Sequence, residues 1–172
     1  MSDYYNAFEI SPVPDAAVDA VPPEPFRGIY AMPMFVTIPT PDLAASVDFW
    51  VNGFGFIDLF TIPEQITHLR RWAFQDALLV PATGKMTSTP AASVSFSCVL
   101  SEIDRIIEAC EALQPGCTEG PRHTPWNTVD VEVVTPENAR VIFTAAKPFD
   151  PESQEARNLA AVGITPPNSD DR

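Results

Sequence analysis

The feature that most constrains this chain is a strand followed at once by a helix, written twice. SVSFSCVL, starting at Ser93, alternates polar and apolar residues as a half-buried strand does, and the period then changes. From about Glu102 to Leu113 the apolar residues Ile103, Ile106, Ile107, Cys110 and Leu113 recur at helical spacing, with Glu102, Arg105, Glu108 and Glu111 on the wet side. Earlier in the chain MFVTIP leads through Pro41-Asp42 into a helical stretch from about Leu43 to Val51. Strand candidates follow: GFIDLFTI, THLRRWAF and ALLVPA in the first half, TVDVEVV and ARVIFTAA in the second, where the intervening LQPGCTEGPRHTPWN reads as a loop. The polar segment TGKMTSTPAA marks the midpoint. Two copies of strand-helix-strand-strand-strand are the simplest description, an α+β chain with modules at about 32–82 and 93–146.

At 172 residues and 45% hydrophobic content the chain can bury one substantial core, which places a single domain at 30–147 between tails at 1–29 and 148–172. Those tails are rich in Pro, Asp and small residues and hold too little apolar area to offset the entropy of ordering. They are expected to be extended or partly disordered, with a short helix at Pro151–Ala161. Much of the net charge of −13 sits there: Asp3, Glu9, Asp15, Asp19 and Glu24 face no Lys or Arg within residues 1–25, and five acids outnumber two arginines within 148–172. The ten basic residues form no patch larger than Arg70-Arg71, which argues against nucleic acid. No apolar run approaches the roughly 20 residues that span a bilayer, and MSDYYNAFEI lacks the basic start and apolar core of a secretory signal, so no membrane association and a cytoplasmic location are expected. Cys98, Cys110 and Cys117, odd in number and without CxxC spacing, fit reduced, buried thiols.

In this module order, PDLAASVDFWVNGFGF and TPENARVIF resemble the vicinal oxygen chelate superfamily, which includes glyoxalase, extradiol dioxygenases, fosfomycin-resistance enzymes and bleomycin-resistance proteins. Asp42-Leu43, Ser46-x-x-Phe49-Trp50 and Phe54-Gly55-Phe56 stand where the family's first module carries Asp-Leu, Ser-x-x-Phe-Tyr and Leu-Gly-Phe. Thr135-Pro136-Glu137-Asn138-Ala139 is a worn form of its last hairpin, Asp-Pro-Asp-Gly-Asn. The resemblance implies two βαβββ modules forming a curved, cleft-bearing mixed sheet over roughly residues 30–147. It also implies that a divalent ion would be gripped from the first strand of each module and from the last strand, at positions that fall on Phe35, Ser95 and Ile142. Phenylalanine and isoleucine cannot coordinate a cation, so no metal and no cofactor are expected. His68 and His123 lie off these positions and read as surface or loop histidines.

Because side chains alternate along a strand, Phe35, Thr37, Arg71, Ala73, Leu78 and Val80 are expected to share the cavity face with Ser95, Ser97, Asp130, Glu132 and Ile142 of the second module. Trp126 joins them where the loop enters its strand. Val36, Ile38, Val94, Phe96, Cys98, Val131, Val133, Val141 and Phe143 fall on the opposite face, beneath the helices. A pocket needs such a mixture of apolar area and a few placed polar groups. Trp126 offers a flat face for a planar ligand or a plug for the core, in a Pro-Trp lead where Asn127 replaces the glycine of bleomycin-resistance-like relatives. Trp72 and Phe74 read as core or interface residues. Asp130 and Glu132, if they face the cavity, would bind a cationic or hydroxyl-rich ligand or share a proton, with Arg71 as a partner.

Two functions follow from this reading. One is a metal-independent binding protein that sequesters an aromatic, antibiotic-like natural product, which the resemblance further implies to be a homodimer with two equivalent clefts. The other is a metal-free isomerase or cyclase with Asp130 or Glu132 as general base.

Overall fold

A computed structural model of the chain describes residues 14, 16–28, 35–72, 75–82 and 93–161, Phe35 through its backbone alone. The first module runs β1 (Phe35–Thr40), α1 (Leu43–Asn52), β2 (Ile57–Ile62), β3 (Ile66–Arg71) and β4 (Gln75–Pro81). The second runs β5 (Ser93–Cys98), α2 (Leu100–Leu113), β6 (Thr118–His123), β7 (Thr128–Val134) and β8 (Arg140–Ala146), and α3 (Gln154–Ala161) follows. Each module builds a four-stranded mixed sheet of identical topology, in the orders β1-β4-β3-β2 and β5-β8-β7-β6. The outer pairs β1/β4 and β5/β8 are parallel and the rest antiparallel. The expected pair of βαβββ modules is therefore present.

The helices begin where local chemistry tells them to. Asp42 accepts the Ala45 N–H at 3.0 Å and caps α1. Gly55, at φ 77°, turns the chain from α1 into β2, a conformation in which a Cβ would be strained. Val99 supplies no side-chain cap to α2, and Glu102 instead reaches back to accept the Val99 N–H at 3.1 Å.

Strand β6 corrects the reading of 113–127 as a loop. TEGPRH has no apolar alternation, and its residues are held as an edge strand by β7, with a register break between Glu119 and Arg122. In the C-terminal tail, α3 lies within the expected 151–161 and buries Ala156. Residues 16–28 take a course without strand or helix but are tied down: Ser101 Oγ donates to Ala20 O at 2.8 Å and Phe26 N to Trp72 O at 2.9 Å. Residues 83–92, Ala73 and Phe74 and the chain ends lie outside the described residues.

Both modules contribute to one core. Ile38, Phe96, Cys98, Val131, Val133, Val141 and Phe143 are buried, and Val36 and Val94 pack against them, as strand alternation requires. Trp50, fully buried, meets Phe54, Phe56 and Phe96 edge-to-face at 5.0–6.2 Å.

Among the polar contacts that join the modules, two are reciprocal. The β7–β8 turn of the second module sends Glu137 into α1, where it accepts from Ser46 Oγ and Trp50 Nε1, both at 2.7 Å. The end of β3 in the first module sends Arg71 to α2, where Nη2 lies 2.6 Å from Glu102 Oε2. Arg71 Nη1 also donates to Gln75 Oε1 and Ser97 O, at 2.7 and 2.6 Å. The burial of these charges is tolerated because Glu137 meets two hydrogen-bond donors and Arg71 and Glu102 meet each other. Among the described residues no helix is long and apolar enough to cross a membrane.

Candidate functional site

The side of each sheet away from the core is the candidate surface. In the second sheet, register places Ser95, Ile142 and Glu132 in one cross-strand row and Ser97, Thr144 and Asp130 in the next. The expected set of Ser95, Ser97, Asp130, Glu132 and Ile142 thus shares a face, exposed or half-buried throughout. Thr144 belongs with them and was missed, although it stands two residues after Ile142 and so on the same side of β8.

The first sheet departs from expectation. Thr37 pairs with Leu78, which pairs in turn with His68, and the Phe35 backbone opposes Asp76, which opposes Arg70. Arg71 falls on the other side with Leu69, because a strand phase wrong by one residue exchanges its faces. It is buried under α2 and paired with Glu102, with its guanidinium 5.2 Å over the Phe143 ring. It pairs with neither Asp130 nor Glu132. Asp130 accepts the Thr128 hydroxyl at 2.9 Å, and Glu132 takes a two-pronged pair from Arg140 Nε and Nη2. Hydrogen bonding from Arg140 holds the Glu132 carboxyl below the usual carboxylate range, which makes it a poor proton acceptor near neutrality.

His68 is likewise not a surface residue. It is 8% exposed in the middle of β3, with Nε2 2.8 Å from Asp76 Oδ2, while Asp76 also receives Arg70 Nε and Nη2 at 2.7 and 2.8 Å. Arg70 Nη1 reaches the Phe26 and Gly28 carbonyls, so the N-terminal segment lies over this part of the first sheet. The two-residue spacing of His68 and Arg70, with an acid across the hairpin, was the available signal. His123 is exposed, at the end of β6.

Trp126 is 52% exposed, which removes the core-plug reading. Its turn is held firmly: Asn127, at φ 65°, exchanges two bonds of 2.9 Å with Lys147, and Asn158 of α3 donates to Pro125 O at 3.0 Å. Asn is the side chain that best replaces glycine in the left-handed region. The same substitution explains the worn hairpin, where Asn138 takes φ 64°.

A metal fits poorly here. Ser95 and Ile142 are direct cross-strand partners, and no group of three or more His, Cys, Asp or Glu side chains placed to hold an ion occurs among the described residues.

Two hollows open on the second sheet. The smaller, about 80 Å³, is bounded by Glu119, Arg122, Asp130 and Glu132. The larger, about 160 Å³, lies where the modules meet, between Trp72, Ser97, Thr128, Thr144 and the N-terminal Pro14, Ala16, Ala17 and Ala20, and its lining among the described residues is uncharged. Trp72 is buried, as expected of a core or interface residue, and it stands at φ 57°.

No protein-family model and no curated protein matches this chain. Solved structures do. An integron cassette protein from the mobile metagenome of the Halifax Harbour sewage outfall aligns at 20% identity over 67% of this chain and 99% of its own, with a TM-score of 0.54. A lactoylglutathione lyase from Agrobacterium tumefaciens aligns at 19% identity over 67% and 94%, with a TM-score of 0.50. The fosfomycin resistance protein FosX from Listeria monocytogenes aligns at 13% identity over 76% and 99%, with a TM-score of 0.55. The chain therefore has the vicinal oxygen chelate fold.

Proposed function

We propose that this protein is a metal-independent small-molecule binder of the resistance type, sequestering an aromatic, antibiotic-like natural product on the open face of its second sheet. The observation that carries the reading is the Ser95–Ile142 pairing: at the positions where the fold's metalloenzymes grip an ion, this chain offers a hydroxyl beside an aliphatic side chain, with further hydroxyls on Ser97 and Thr144 in the adjoining row. That is a surface for apolar contact and oriented hydrogen bonds. A solvent-open sheet face supplies one wall of a drug-sized site, and a second copy of the chain supplies the other, so the working form is a homodimer with two equivalent clefts. As part of the same reading it acts in the cytoplasm.

Titration of the purified full chain with daunorubicin, a planar aromatic antibiotic, followed by mass analysis of the recovered compound, tests this. Saturable quenching of tryptophan fluorescence, unchanged ligand mass and weaker binding by Ser95→Phe are expected. Stoichiometric zinc, iron or manganese in the isolated protein, or a chemically altered ligand whose formation requires Asp130, would overturn it, the latter in favour of the isomerase or cyclase alternative. A strictly monomeric chain in light scattering at micromolar concentration would remove the shared cleft.

A further inference from the structure

The N-terminal segment is fastened firmly at one end and lightly at the other. At its base, Phe26 N–H donates to Trp72 O at 2.9 Å, and the buried Arg70 donates through Nη1 to the Phe26 and Gly28 carbonyls while its guanidinium lies 5.9 Å over the Phe26 ring. At its tip, Ala20 N–H closes a turn on Ala17 O at 3.3 Å. Among the described residues one hydrogen bond joins that turn to the rest of the protein, from the exposed Ser101 of α2 through Oγ to Ala20 O at 2.8 Å. Apolar burial adds little to it: the half-buried Ala17 and Ala20 bring one methyl group each, and Val18 and Val21 stand 73% and 75% exposed. Pro22, Pro23 and Pro25 fix φ between the two ends, so the tip moves as a unit about the base.

This tip lies over the candidate face. Pro14, Ala16, Ala17 and Ala20 wall the 160 Å³ hollow together with Ser97, Thr128 and Thr144. Drug-sized ligands need roughly 300–1,000 Å³, so one that reaches these hydroxyls has to displace the tip. We propose that residues 16–20 form a gate over the Ser97–Thr144 end of the face, swinging on the Phe26–Gly28 base to admit a ligand larger than the hollow. Segments with few buried contacts and solvent-exposed hydrogen bonds are the ones that open locally. Apparent affinity is then the intrinsic affinity multiplied by the open fraction, and Ser101 sets that fraction through its bond to Ala20. This inference rests on the binding function proposed above and gives its site a control.

The test uses the full chain, with Ser101→Ala to release the tip and Ser101→Thr to keep a hydroxyl. Elastase, which cuts after alanine and valine in extended segments, reads the opening without a ligand. Its cleavage within residues 16–21, located by mass, should be about fivefold faster in Ser101→Ala, the worth of one exposed hydrogen bond. Ser101→Thr should be cut at close to the wild-type rate. Daunorubicin should bind Ser101→Ala more tightly by the same factor, through faster association. Equal cleavage of the wild type and Ser101→Ala overturns the gate, and so does daunorubicin that binds Ser101→Ala no faster despite quicker cleavage. If neither chain binds daunorubicin while the cleavage rates part as stated, sequestration fails and the opening of the tip stands, so the two readings fail separately.

Discussion

Replacing Glu137 with alanine removes the acceptor for two buried donors contributed by the other module. Trp50 Nε1 donates to Glu137 at 2.7 Å and, inside a fully buried ring system, has no second partner, so its N–H is stranded at a cost of about 1–3 kcal/mol. Ser46 fares better, because its hydroxyl also lies 2.7 Å from Thr40 Oγ1 and loses only the charge-assisted bond, about 1.5–3 kcal/mol. Against these stands relief from keeping a carboxylate out of water, which offsets part of the loss. The expected balance is about 3 kcal/mol of destabilisation, read by urea unfolding. At ~2–4 °C per kcal/mol for a chain of this size, Tm should fall by about 6–12 °C. Glu137→Gln keeps one acceptor for the indole and should cost about 1 kcal/mol. A cycle with Trp50→Phe tests the cause: with no N–H left to strand, Glu137→Ala should cost at least ~1 kcal/mol less in that background. Strict additivity, or a Glu137→Ala variant within ~0.5 kcal/mol of the wild type, would refute the claim that this carboxylate joins the modules.

Arg71→Ala, which leaves the buried Glu102 with only the Val99 N–H and the Arg105 guanidinium at 3.4 Å, should destabilise by about 3 kcal/mol in denaturant unfolding, the low end for a broken buried pair, whereas the apolar pair Arg71→Met with Glu102→Leu should recover most of it. Burial pushes the Cys98 and Cys110 thiols up to about 12, so neither should react with a thiol reagent at pH 8 until the chain is unfolded in urea. Hydrogen bonds from the Thr118 hydroxyl and from the Gly116 and Thr118 N–H groups hold the Glu111 carboxyl below its usual value. Its contribution is therefore complete above the unfolded carboxylate range and is lost as pH falls through the lowered folded value. Tm measured against pH should flatten on the acid side in Glu111→Gln, and an unchanged acid limb would contradict this.

The second sheet was legible because β5, β7 and β8 alternate without interruption, so Ser95, Ser97, Asp130, Glu132 and Ile142 could be placed on one face by counting alone. The first sheet was not, since counting toward Arg71 has to pass the β3–β4 turn, and one residue of phase exchanges Arg70 for Arg71. Strand β6 carries no periodic signal because an edge strand with Gly120 and Pro121 buries little, and its place is set by β7. The pairing of Glu137 with Ser46 and Trp50 spans about ninety residues and is written in no local pattern. Trp72 was recognised as a core or interface residue, but nothing around it in the sequence announces a left-handed backbone.

The exchange of Glu137 and Arg71 between the modules has a consequence for the chain as a whole. Each half carries, in its own hairpin, the countergroup that the helix of the other half lacks. Cut within 83–92, the chain should yield fragments that are poor folders singly and complementary when mixed. The junction also has no means of telling a half in cis from one in trans. Two chains that traded halves would satisfy the same contacts, leaving the choice between monomer and swapped pair to the segment that connects them.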